Sequence, residues 1–100
     1  MMDADYQKIA QILNSTCPAG YSRAWVEAEV KPDWNKQRLW CEHEGKKEQP
    51  DIDALKQYQL GEHLTALQSS MTIPGEQPWS RCTFTLFPDG KFKFDVEYDD

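Results

Sequence analysis

Residues 78–100 read PWSRCTFTLFPDGKFKFDVEYDD. Two runs of alternating character flank Pro88-Asp89-Gly90. On the first run Cys82, Phe84 and Leu86 share a face. On the second, Phe92, Phe94, Val96 and Tyr98 share a face, and Lys91, Lys93, Asp95 and Glu97 share the opposite one. Side chains alternate across a strand, so this spacing separates a dry side from a charged side. Proline presets φ, aspartate bonds its own turn, and glycine accepts a positive φ. The segment predicts a β-hairpin. It embeds no nucleophile, metal cluster or phosphate loop, which points to a surface for binding rather than for catalysis.

Working back along the chain, residues 51–71 predict the main helix, capped by Asp51 or Asp53. Leu60, Leu64, Leu67 and Met71 keep the rhythm of a buried stripe, which Leu55 and Tyr58 extend less cleanly. Gly61 inside it marks either a break or a close approach to the sheet. Residues 37–43 and 21–30 predict two strands joined by the turn KPDWNK. Ala24, Val26, Ala28 and Val30 form a small apolar face, and Leu39, Cys41 and His43 form another. Residues 3–15 predict a first helix with Tyr6, Ile9, Ile12 and Leu13 on one side. Asp3 or Asp5 caps it, and Pro18 and Gly20 end it. Residues 44–50, EGKKEQP, read as a polar loop.

The order is helix, two strands, helix, two strands. The expected fold is α+β: one antiparallel sheet of about four strands with two helices packed on one face. The expected domain is single and spans residues 1–100, which is enough for a modest core. Arg23, Trp25, Glu27, Glu29, Trp40, Glu42, Arg81, Thr83, Thr85, Lys93, Asp95 and Glu97 then share the open face.

The formal net charge is −6 and the apolar share is 39%. That charge disfavours direct binding of nucleic acid, which needs a basic stripe, and favours a basic protein partner. Cys17, Cys41 and Cys82 are odd in number and widely spaced, so they read as buried free thiols rather than a disulfide framework or metal site. The N-terminus lacks a signal-peptide pattern, and no run is long enough to span a membrane, so a cytoplasmic protein is expected. Cofactor and metal are expected to be absent.

Enzyme signals are weak. His43 reads as a structural histidine on the core side of a strand, and His63 as a surface residue. Ser22, Ser69, Ser70 and Ser80 lack the setting of a nucleophile elbow. Cys41 and His43 have no third orienting group.

The final hairpin also resembles the C-terminal hairpin of the YezG-like immunity (antitoxin) proteins. Trp79, Phe84, Leu86, Gly90, Lys91, Phe92, Phe94, Tyr98 and Asp99 carry the likeness. The upstream order is similar too, with a helix, a strand from Trp25 to Val30, and a helix ending before Trp79. The resemblance implies a protein that neutralises a partner toxin of bacterial competition, such as a nuclease domain of a contact-dependent inhibition system. It also implies a further strand between Cys41 and Asp51, where the residues themselves read as loop.

Carboxylates recur at strand spacing near tryptophans. An apolar anchor amid acids suits an interface with a basic partner. The expected partner-binding residues are Trp25, Glu27, Glu29, Trp34, Trp40, Glu42, Asp95, Glu97 and Asp99. Two readings of the tryptophans stay open: anchors at an interface, or completion of a core. The expected partner is a cognate, basic toxin domain, bound one-to-one by a monomer that covers its active or substrate site. The alternative is an acidic adaptor or regulatory module without a toxin partner.

Overall fold

The computed structural model describes residues 2–98. Helix α1 spans Met2–Thr16. Strands β1 (Arg23–Val30), β2 (Asn35–His43) and β3 (Lys46–Glu48) follow. Helix α2 spans Ala54–Met71, and β4 (Arg81–Leu86) and β5 (Phe92–Glu97) close the chain. All strands pair antiparallel in one sheet ordered β3-β2-β1-β4-β5. The fold is thus α+β with both helices on one face, and the sheet has five strands.

The apolar patterns explain the layering. Ile9 and Leu13 of α1, Leu60, Leu64 and Leu67 of α2, and Val26 and Phe84 of the sheet are fully enclosed. Ala24 and Ala28 on central β1 leave room for the helices. Gly61 of α2 marks close approach and no break. A Cβ there would stand 2.8 Å from Gln37 Nε2 and 2.9 Å from Asn35 Oδ1, at the start of β2. Asp53 caps α2, its carboxylate accepting from the Lys56 amide at 2.8 Å. Gln68 Nε2 donates to the carbonyls of Val30 (2.9 Å) and Trp79 (2.6 Å), tying the end of β1 to the entry of β4.

Turns set the register. Gly90 has φ 88°; its amide donates to the Phe87 carbonyl, and the Phe87 amide donates to the Lys91 carbonyl. This is a three-residue hairpin loop closed by a glycine bulge. Between β2 and β3, Glu44 (φ 51°) and Gly45 (φ 76°) form a two-residue loop with His43 opposite Lys46.

Several expectations change. The stretch read as polar loop holds β3, the strand that the family resemblance implies. Cys17 and Cys41 are joined in a disulfide that links the end of α1 to β2, with Cα atoms 5.8 Å apart; Cys82 alone is a buried free thiol. The sequence separates these cysteines, but the C-terminal end of α1 comes up against β2 and brings them together. His63 is no bare surface residue: its Nδ1 lies 2.8 Å from Asp5 Oδ1, joining the two helices. Asp5 therefore lies within α1 as a partner of α2 and does not cap it; the side chain of Asp3 lies outside the described residues. Leu55 and Tyr58 are exposed and do not extend the α2 stripe. The dry side of the last hairpin is also less dry than its pattern, with Phe92 and Tyr98 exposed at the sheet edge.

Candidate partner-binding face

The strand registers assemble the outer face of the sheet row by row. Lys36 pairs with Glu29, Glu29 with Arg81, and Arg81 with Glu97. The next row runs Arg38, Glu27, Thr83, Asp95. The third runs Trp40, Trp25, Thr85, Lys93. The last runs Lys47, Glu42, Arg23. Most strands carry both signs along their length, and the register sets unlike charges beside one another across strands as well. The face is therefore chequered rather than uniformly acidic.

The tryptophan row is held by ring stacking, cation–ring contacts and a hydrogen bond. Trp25 and Trp40 stack with ring centroids 6.3 Å apart. Lys47 Nζ lies 4.3 Å from the Trp40 centroid and 5.6 Å from that of Trp25, and the Arg23 guanidinium lies 4.7 Å from the Trp25 centroid. Cations over aromatic faces are attracted by the ring quadrupole. Trp40 Nε1 donates to Glu27 Oε1 at 2.9 Å. Glu42 accepts from Arg23 and from the Ser22 hydroxyl, both at 3.2 Å. Trp25 is consequently covered, whereas Trp40 is half-buried.

Beside this row lies a shallow depression of about 270 Å³. Glu27, Glu29, Asp95 and Glu97 line it together with Lys36, Arg38, Arg81 and Thr83. Thr83 is short, and the longer side chains of its neighbours rise around it. Arg81 reaches Glu97 at 3.5 Å and Lys93 reaches Asp95 at 3.7 Å, all four well exposed. The carboxylate of Glu29 has no hydrogen bond or ion pair among the described residues. Such exposed pairs contribute little to stability and exchange readily for a partner's charges.

The fold thus gathers four of the expected binding carboxylates around one depression and sets Trp25, Trp40 and Glu42 in the adjacent rows. Trp34 stands apart in the β1–β2 turn, exposed, its carbonyl accepting from the Lys31 amide. Asp99 lies outside the described residues. The cations Lys36, Arg38, Lys47 and Arg81 escape strand-by-strand reading, because only the pairing register puts them between the acids. No group of three or more potential metal ligands occurs among the described residues. No helix among them is long and apolar enough to cross a membrane.

No curated protein matches the chain. A family model described as "Immunity protein YezG-like" matches residues 2–100, and the chain belongs to that family.

Proposed function

We propose that this member of the YezG-like immunity family neutralises a cognate bacterial toxin by stoichiometric binding, and that the outer face of its sheet makes the contact. One observation carries the reading. A stacked tryptophan pair adjoins a depression rimmed by Glu27, Glu29, Asp95 and Glu97. An aromatic anchor beside exchangeable charges is the anatomy of an interface centre with its polar rim. A basic side chain of the partner reaching over Thr83 would lie between Glu27 and Asp95, which oppose each other across that residue. The preferred target is a basic, nuclease-like domain, whose groove carries cations placed for phosphates. Carboxylates of the immunity protein would stand in for those phosphates and cover the groove.

The test is co-expression of the protein with the candidate toxin of its own locus. Glu27→Lys and Glu29→Lys should each lose protection and raise the off-rate; Glu29→Lys should leave the melting temperature unchanged, and Glu27→Lys should lower it slightly through loss of the Trp40 indole's acceptor. The on-rate should fall by roughly an order of magnitude from low to physiological salt. Full protection by the double variant would move the contact off the sheet, and a salt-independent on-rate would remove the basic partner.

A further inference from the structure

The two ends of the sheet are built differently. At one end β3 is three residues long and wholly exposed. At the other, β5 is six residues long and is the last strand of the sheet. Free strand edges invite pairing with another chain, and among the devices that stop it are proline, bulges and inward-pointing charges, with like-signed charges along the edge a further one. Residues 92–97, FKFDVE, contain none of the first three, and their charges are of both signs. The charges all point to the outer face, and Phe92, Phe94 and Val96 point to the helix side.

The hairpin closure fixes which backbone groups are free. Phe87 and Lys91 are the bonded pair at the loop. Bonded and non-bonded pairs alternate along an antiparallel ladder. Lys93, Asp95 and Glu97 therefore turn their N–H and C=O toward β4. Phe92, Phe94 and Val96 turn theirs outward, along the open edge.

We propose that β5 pairs antiparallel with β5 of a second copy of this chain, about a two-fold axis at Phe94, to make one continuous sheet across a dimer. Every outer-face pair is unlike in that register, whereas each neighbouring one places a like pair on the axis and needs Lys93 or Asp95, whose backbone groups face β4, to bond outward. Lys91 meets the partner's Glu97, and Lys93 meets the partner's Asp95, on the outer face. Phe92 meets the partner's Val96, and Phe94 meets its counterpart, on the inner face. A shift of one residue to either side in each chain sets lysine against lysine or aspartate against aspartate. Directly opposed like charges destabilise a strand pair, and opposed unlike charges stabilise it. Pairing also covers Phe92, which is 45% exposed although it packs on Tyr6 and Phe84 with centroids 5.0 and 5.1 Å away. Lys93 and Asp95 already lie 3.7 Å apart along their own strand, with side chains 68% and 58% exposed, so both are free to redirect across the axis. A single strand pair buries less than the roughly 1,600 Å² of a standard interface, so the dimer is weak and forms at micromolar concentration or above.

Charge swapping tests this. Sedimentation of the full chain from about 10 µM to about 1 mM spans the range expected for so small an interface. The weight-average mass should climb from 11.6 kDa toward twice that value. Lys93→Asp alone and Asp95→Lys alone should each stay monomeric. An equimolar mixture of the two should associate, because each then meets its opposite. The chain carrying both swaps should associate like the unaltered one. Amide exchange at Phe94 and Val96 should slow as concentration rises. A monomer throughout overturns the proposal, as does association that ignores the swaps. A chain that stays monomeric but loses toxin binding on Phe94→Pro would assign the edge to the toxin instead, and equally overturn it.

Discussion

Trp25 lies on the outer side of the sheet, yet only 8% of its surface is exposed. Arg23, Lys47 and Trp40 cover it. It is thus neither a core residue under the helices nor an open anchor. Trp25→Ala removes a covered ring and strips two cations of their platform, and should cost about 3 kcal/mol of stability. Trp40 is more open and should behave differently. Trp40→Ala is expected to cost about 1 kcal/mol of stability but about 2 kcal/mol of toxin affinity. Urea melts of the free variants, set beside toxin titrations, separate the two roles. Equal melting losses with unchanged affinity would make both tryptophans structural. Cys82 gives a second test. Burial pushes its thiol from 9.0 up to about 12. Above pH 9 the unfolded chain releases this proton while the folded chain keeps it. Stability is therefore whole below pH 9 and declines toward pH 12, by about 1.4 kcal/mol per pH unit for this group. From about pH 8 to about pH 10.5 the unaltered protein should lose about 2 kcal/mol more than Cys82→Ala does. Parallel losses would mean that the thiol is open to solvent.

Strand β3 and the disulfide explain what the sequence hides. The strand is Lys46, Lys47 and Glu48, all exposed, so no alternation of apolar residues announces it. Its turn places Glu44 at positive φ, where asparagine, aspartate or glycine would have signalled a hairpin. The strand nevertheless brings Lys47 over the tryptophan pair, so a segment without an apolar signature helps shape the candidate face. The elements with strong periodicity are different. The Leu60, Leu64 and Leu67 stripe and the last hairpin are legible because helix and strand periods repeat over enough residues. The Cys17–Cys41 link is a tertiary fact: it requires α1 to end over β2, and spacing along the chain does not encode that. It closes a loop across a separation of 24 residues, for which chain entropy implies about 3 kcal/mol of stabilisation. Reductant, or Cys17→Ser with Cys41→Ser, should lower the unfolding free energy by that amount in urea melts. A midpoint indifferent to reductant would mean that the link is not formed in solution.

The molecule as a whole distributes charge in a way that strand patterns conceal. The five carboxylates Glu27, Glu29, Glu42, Asp95 and Glu97 on the outer face stand among six cations, Arg23, Lys36, Arg38, Lys47, Arg81 and Lys93. The net charge of −6 therefore resides away from that face, on loops, helices and ends. Alternation alone places side chains on the correct side of β1, β2, β4 and β5, but neighbours across strands depend on register, which turn geometry decides. The sheet order has one further consequence. Strands β1, β2 and β3 are joined by short turns, as are β4 and β5, and among the strand pairings of the described residues the central β1–β4 seam is the one that unites residues far apart in sequence, from Ala24 with Leu86 to Glu29 with Arg81. Each of the two chain segments that meet at that seam contributes one helix, and the disulfide lies wholly within the first segment. Cutting the chain between Gln49 and Pro50 breaks no strand and no helix. Neither fragment can bury its apolar face alone, so each should be largely unstructured by circular dichroism, whereas an equimolar mixture should regain the native spectrum. The same division offers a conditional form of the protein: two inert polypeptides whose meeting restores a whole immunity domain, with protection available only where both are made.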